Sequence, residues 1–384
     1  MARIPLMTIL RSQTKIAPTN RHASRGADRG RTRVGKITGM TGAAVARMLW
    51  PVAQSRGERI PRTLGAAVRV LQNTLTRQVG GLSFGPGGRT LVAGGSGGYD
   101  IWDLATGSRT FIASHAVKYL YGCVCDPLGR WFYVSDYLGG FRLLPLIGNA
   151  PPSVPGSPHF RHVISFDLTP DGGRLVMCRS GRVECWDVRP PERFVPAWSL
   201  RAGEPVDPTE PYLLNEATWG TNGIAVARDG QIVATAESRS ASTTGVNPLV
   251  VLRAGATGRA ITELGRSETS FDTRLAFATD GQAVFTWDDR VLERWDAAAA
   301  RLSGRLPAPG RAYFRGLAIH PSGRLLVTVS GDGQTRYWEP ADLSPVRALK
   351  WGIGKLHAVA VSADGALAAA GGDKGQVVVW DVEL

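Results

Sequence analysis

The sequence predicts an all-β fold: a seven-bladed β-propeller behind a basic N-terminal tail. Three observations predict it. A turn that sets Gly behind Pro or Asp recurs seven times, with steps of 41, 44, 57, 51, 42 and 42 residues between Gly88, Gly129, Gly173, Gly230, Gly281, Gly323 and Gly365. A second marker, Trp-Asp or its relic, follows at Trp102, Leu144, Trp186, Leu252, Trp295, Trp338 and Trp380, with steps of 42, 42, 66, 43, 43 and 42. The 47 Gly and 24 Pro among 384 residues suit short strands joined by tight turns. A period near 42 with strand signals in each copy belongs to a propeller, not to one compact sheet.

Each unit builds in the same order. An apolar stretch opens it, as in Leu317-Ala318-Ile319 or Val359-Ala360-Val361. The turn follows, where Pro or Asp sets the bend and Gly accepts the positive φ that other residues resist. A second apolar run comes next, as in Leu325-Leu326-Val327-Thr328-Val329 or Arg174-Leu175-Val176-Met177. A short Gly/Asp turn leads to a third strand ending in Trp102-Asp103, Trp186-Asp187, Trp295-Asp296, Trp338-Glu339 or Trp380-Asp381. A weaker fourth strand closes the unit, as in Arg109-Thr110-Phe111-Ile112 or Val346-Arg347-Ala348-Leu349. Four short strands with turn signals between them make one blade.

The recurring order of apolar strand, Pro-Asp-Gly-Arg-like turn, apolar strand, Gly/Asp turn and Trp-Asp resembles the WD40 repeat, in seven copies over about residues 63–384. The resemblance implies a degenerate WD40-like ring. Blades of that family often carry a Gly-His pair ahead of the first strand, whose His bonds an Asp in the turn between strands two and three. No copy here shows Gly-His; the last reads Trp351-Gly352 at that place, Asp373 keeps the turn Asp, and Gly331 stands for it one copy earlier. The buried polar set of the family is therefore expected to be mostly absent, leaving Trp and aliphatic layers to pack the blades.

The chain stops at Leu384, inside the third strand of the last unit. The segment Ala66-Ala67-Val68-Arg69-Val70-Leu71 is placed to supply the missing outer strand and close the ring, removing an edge that would invite aggregation. The expected domains are thus a tail over 1–62 and a propeller over 63–384, with the propeller monomeric.

The net charge of +13 is concentrated in the tail, where 13 Lys/Arg face 2 Asp/Glu across residues 1–62. Arg21, Arg25, Arg29, Arg31, Arg33 and Lys36 lie there among Gly, Ser and Thr, a composition that favours disorder. Such a tail suits nucleic acid or an anionic membrane surface, by counterion release, or is a solvated run ahead of a later start at Met40 or Met48. It lacks the order of a secretory signal, and no run of 18 apolar residues offers a transmembrane segment. Cys123, Cys125, Cys178 and Cys185 fit buried small hydrophobes in a reducing cytoplasm, so the expected location is cytoplasmic.

Enzyme motifs do not hold up. Gly94-Gly95-Ser96-Gly97-Gly98 matches a nucleophile elbow, but a strand follows where a helix is needed. Gly30 to Lys36 matches a phosphate loop, but Ile37 stands where Ser or Thr must bind Mg²⁺. His115, His159, His162, His320 and His357 show no metal spacing, and no carboxylates recur toward a channel. No catalytic residue, metal site or cofactor is expected, and the chain is not expected to be an enzyme.

The segments entering each first strand share a pattern: Lys118-Tyr119-Leu120-Tyr121, Phe160-Arg161-His162, Phe271-Asp272-Thr273-Arg274, Tyr313-Phe314-Arg315 and Lys355-Leu356-His357. In a ring of this type they lie on one face, around the channel mouth, and aromatics with Arg dominate interface energetics. Tyr119, Tyr121, Arg161, His162, Arg274, Tyr313, Arg315, Lys355 and His357 are the candidate partner-binding residues; the competing account is that they only pack blade on blade. Two insertions in the fourth unit, 201–221 with Glu204, Asp207, Glu210 and Glu216, and 238–247, open on the same face. Basic groups at the mouth beside an acidic loop suit a partner of mixed charge. The expected function is a protein–protein interaction scaffold presenting that face to a protein or peptide. The alternatives are a propeller enzyme or small-ligand binder using the central channel, and nucleic-acid or membrane-surface association through the tail.

Overall fold

The computed structural model describes residues 68–382 apart from 74–77, 96, 115–119, 137–139, 147–162, 180, 190–192, 202–218, 240–247, 270–272 and 311. After β1 (Arg69–Gln72), the first blade is β2 (Val79–Phe84), β3 (Thr90–Gly95), β4 (Gly97–Asp103) and β5 (Arg109–Ser114). The second holds β6 (Leu120–Cys125), β7 (Trp131–Asp136) and β8 (Phe141–Pro145); the chain after Leu146, where a fourth strand is expected, lies outside the described residues. The third is β9 (Val163–Leu168), β10 (Arg174–Arg179), β11 (Arg182–Arg189) and β12 (Arg193–Arg201). The fourth is β13 (Trp219–Val226), β14 (Ile232–Arg239), β15 (Leu249–Ala254) and β16 (Ala260–Arg266). The fifth is β17 (Arg274–Phe277), β18 (Ala283–Trp287), β19 (Val291–Asp296) and β20 (Arg301–Pro307). The sixth is β21 (Phe314–Ile319), β22 (Leu326–Ser330), β23 (Gln334–Trp338) and β24 (Pro345–Lys350). The seventh is β25 (Leu356–Val361), β26 (Leu367–Gly372) and β27 (Gln376–Asp381), with β1 antiparallel to β27 in the outer position.

Burial follows radius. Second strands are buried on both faces between neighbouring blades, as in β18 and β22, where every residue is buried. Their sequences accordingly read as unbroken apolar runs. Outer strands such as β20 and β24 are mostly exposed and carry Arg, Ser and Lys. Innermost strands alternate, and in β25 buried Leu356, Ala358 and Ala360 interleave with half-buried His357, Val359 and Val361.

The core is divided into clusters between adjacent blades. Val92, Tyr99, Phe132 and Leu144 join blades one and two, and Phe285, Trp287, Phe314 and Trp338 join five and six. Val79, Leu91 and Trp102 of the first blade meet Ala358, Ala369 and Val379 of the last, so the ring closes without a gap. Leu144 and Leu252 are buried in the places that Trp holds elsewhere.

The recurring turns lie together at one end of the ring. Gly365 adopts φ +77, and a Cβ there would meet the His320 ring at 2.5 Å. The reason is a bridge between blades: His320 is buried, its Nδ1 hydrogen-bonds the Ser322 hydroxyl at 2.7 Å, and its Nε2 meets the Gly365 carbonyl at 2.9 Å.

Two expectations about buried polar groups are corrected. Asp332, not Gly331, fills the turn between β22 and β23, accepting from the Ser330 hydroxyl at 2.9 Å and the Gln334 amide at 3.1 Å. Buried polar bonding is also richer than the missing Gly-His pair implies. The Trp295 indole donates to Thr286 at 3.0 Å, and the Trp338 indole to Thr328 at 2.8 Å. In the fifth blade Thr286 and Ser267 then donate to buried Glu293, at 3.1 and 2.5 Å. A carboxylate on the third strand takes over a role that the sequence pattern assigns to a loop.

Candidate functional site

The end of the ring opposite the Pro/Asp-Gly turns carries the entries to the first strands and the turns between second and third strands. Five candidate residues are described there. Arg274 opens β17, Arg315 is the second residue of β21 with Tyr313 just ahead of it, and Lys355 and His357 flank the start of β25. Tyr121 lies on β6; Tyr119, Arg161 and His162 lie outside the described residues, as do most of both insertions, 202–218 and 240–247.

Blades five to seven bring their candidates side by side. The Arg274 guanidinium donates to the Arg315 carbonyl at 2.7 Å, tying β17 to β21. The Arg315 guanidinium carbon lies 5.7 Å from the centroid of the Tyr313 ring, a cation–π arrangement. Tyr313 is 47% exposed, an unusual state for a large aromatic side chain with a buried neighbour, Phe314. Its backbone is fixed all the same. Gly331 N–H donates to the Tyr313 carbonyl at 3.1 Å, and Phe314 N–H to the Asp289 carbonyl at 3.0 Å. Asp373 N–H donates to the Lys355 carbonyl at 3.0 Å, holding the entry to β25 against the turn that follows β26.

The electrostatics of this cluster set two cations against one carboxylate. Burial lowers the pKa of His357 first, and the positive charges of Arg315 and Lys355 lower it further, against an opposing pull from Asp373. His357 Nε2 and Asp373 Oδ1 are buried without a hydrogen-bond partner among the described residues. Arg315 and Lys355 make no ion pair there, whereas Arg89, Arg130, Arg179 and Arg336 are paired with Asp103, Asp126, Glu184 and Asp332.

Other polar residues, which sequence reasoning missed, serve the scaffold. Asp167 on β9 accepts from the Val226 amide of β13 at 2.9 Å and from the Leu168 amide at 2.8 Å, and burial pushes its pKa up to about 6. Glu237 and Arg253, each 1% exposed, form a 2.7 Å ion pair across β14 and β15. The Thr235 hydroxyl donates to the same carboxylate at 2.6 Å. A lone charge inside an apolar strand, as in Leu249-Val250-Val251-Leu252-Arg253, was the available signal. The four cysteines are free thiols, and burial pushes Cys125 up to about 12 and Cys185 up to about 11. Inert buried thiols follow.

Among the described residues no group of three His, Cys, Asp or Glu side chains is arranged to hold a metal ion, and no helix is long and apolar enough to cross a membrane. A search of curated proteins found no match to the chain. The WD domain, G-beta repeat family matches residues 304–339 and 345–381. Those segments run from within β20 to Trp338 and from β24 through β27, so each begins on the outer strand of one blade and ends on the third strand of the next. The chain carries WD40 repeats within a seven-bladed β-propeller.

Proposed function

We propose that this chain is a protein–protein interaction scaffold that presents its channel-mouth face to a partner. The observation that carries it is Tyr313, exposed on a fixed backbone and in cation–π range of Arg315, beside Arg274, Lys355 and His357 on adjacent blades. Aromatic and Arg side chains held rigid at a surface lose little entropy on binding, which is why they dominate interface energetics. Tyr119, Tyr121, Arg161 and His162 extend the proposed face to blades two and three. The role is binding rather than catalysis, performed by a monomeric propeller, and the free thiols suit a reducing cytoplasm.

The test is the joint change Tyr313→Ala and Arg315→Ala in the full chain, with affinity capture of partners before and after. The expected loss is about 2 kcal/mol or more in partner affinity with an unchanged circular dichroism spectrum and melting temperature. A folded variant that keeps its partners moves the site off this face. An unfolded one assigns both residues to packing.

A further inference from the structure

We infer that the turn end of the ring carries a second binding surface, over blades seven, one and two. It takes a short uncharged segment of a partner protein, with one apolar side chain in a cavity at the ring's seam and another against Leu128. This surface lies opposite the mouth and does not depend on the residues proposed there. It begins with a break in a pattern that five blades share. In blades three to seven a short polar residue stands at the tip of the Pro/Asp-Gly turn and accepts the amide two residues on. Asp171 accepts from Gly173, Asp229 from Gln231 and Asp280 from Gln282, each at 2.9 Å, Ser322 from Arg324 at 3.3 Å and Asp364 from Ala366 at 3.0 Å. In blade two the tip is Leu128. The capping has moved to buried Asp126, which accepts the Leu128 amide at 3.3 Å and the Arg130 amide at 3.2 Å. Leu128 therefore has no part in holding its turn, and it stands 61% exposed, more than any other large apolar side chain among the described residues.

One exposed leucine by itself needs no explanation; its surroundings supply one. Pro127 beside it is exposed, and so are Pro86 and Gly87 in the turn of blade one. A Cβ on Gly129 would meet Pro86 Cγ at 3.3 Å, so the two turns touch. Gly87 and Gly88 then form one wall of a cavity of about 320 Å³, where the first blade meets the last. Its other walls include Leu104, Ala105, Leu367 and Val379. The charged groups at its rim are already met. Arg89 pairs with Asp103 at 2.9 Å, the Arg69 guanidinium donates to the Leu104 carbonyl, and Asp381 is not free. Such a cavity selects an uncharged apolar group, since a charge entering it would lose water without gaining a partner. Its volume is at the low end of ligand cavities, about 300–1,000 Å³, and suits one large side chain. Glycine lets another backbone approach closely, so a peptide can pass over Gly87 from the cavity to Leu128. A second copy of the chain fits less well. A stable interface buries about 1,000 Å² or more, which the exposed side chains of Pro86, Pro127 and Leu128 do not supply.

The experiment uses the full chain and a fluorescein-labelled peptide of repeating Ser-Gly-Leu units, read by fluorescence anisotropy, with a Ser-Gly-Asn peptide as comparison. Leu128→Asp puts at the tip the residue that other blades carry there. Ala105→Phe fills the cavity from an exposed position. Each variant should keep the wild-type melting temperature and bind the leucine peptide about tenfold more weakly. The joint variant Tyr313→Ala/Arg315→Ala should bind it as the wild type does. A wild type that prefers neither peptide overturns the inference, and so does equal affinity for wild type and both turn-end variants. If Leu128→Asp fails to fold, Ala105→Phe alone decides between these outcomes. Loss of the peptide in the Tyr313→Ala/Arg315→Ala variant moves it to the mouth, which overturns the inference and leaves the scaffold face standing. A dimer in sedimentation velocity that Leu128→Asp dissolves assigns the surface to a second copy of the chain and overturns it as well.

Discussion

Asp167 is half-buried on β9, and its carboxylate joins two blades by accepting the Val226 amide. Its folded pKa of about 6 lies above the unfolded carboxylate value of about 4, because burial disfavours the charge. Below pH 4 both states hold the proton. Between about pH 4 and 6 the folded chain keeps it while the unfolded chain releases it, so this residue's contribution to stability falls as pH rises and is lost above 6, by up to about 3 kcal/mol. Asp171 and Asp364, whose hydroxyl and amide partners lower their pKa, push the other way. The comparison of Asp167→Asn with wild type therefore isolates the one residue. Urea unfolding across this range should show the variant gaining on wild type as pH rises; parallel curves would assign the titration elsewhere. Arg253 is the second residue-scale case. Arg253→Ala strands the Glu237 carboxylate in the interior and should cost about 3–5 kcal/mol. Replacing both, Arg253→Met with Glu237→Leu, should recover most of that in thermal melts. A double variant as unstable as the single one would show that the pair is needed for more than its charge.

At the scale of elements, the family matches and the sheets are out of step by one strand. The match at 345–381 contains β24, which covers the sixth blade, and β25 to β27, which build the seventh. Every junction between repeats is therefore a shared sheet, and the last sheet needs a strand from the other end of the chain. β1 fills it with the register Arg69 to Val379, Val70 to Val378, Leu71 to Val377 and Gln72 to Gln376. Arg109 adds a bond from Nη1 to the Gln72 carbonyl at 2.8 Å, fastening β1 to the first blade as well. Deleting residues 1–60 should leave this seam intact. Deleting 1–75 exposes β27 and should lower stability by several kcal/mol or cause aggregation. Differential scanning calorimetry of the two truncations decides it, and coincident curves would mean that β1 contributes nothing to closure.

At the scale of the molecule, charge is divided: +13 overall, with 13 Lys/Arg against 2 Asp/Glu in residues 1–62. The tail's role in binding nucleic acid is a proposal with its own signature. Affinity for an oligonucleotide should fall linearly against salt on logarithmic axes and disappear when 1–60 are removed. Binding that survives the deletion would move the site to the propeller.

The sequence by itself determined the architecture, because a turn that needs Gly and a strand that ends in Trp impose their period on any chain that folds locally. Pro321-Ser322-Gly323 and Trp338 could be placed in a blade without knowing what lies beside them. Tertiary structure alone decided what crosses from blade to blade. His320 meeting Gly365, Asp167 meeting Val226 and Arg274 meeting Arg315 are contacts between first strands or turns of different blades, 45, 59 and 41 residues apart. No local pattern encodes them, since each depends on the rotation between neighbouring sheets. Glu293 lies between the two cases: Thr286 faces it across the hairpin of the same blade, whereas Ser267 reaches it from the loop before the blade. At the channel mouth, the sequence supplied basic and aromatic residue types. Arg315 and Tyr313 meet within one strand entry, but only the ring brought Lys355 and His357 near them, because blades six and seven pack at that end.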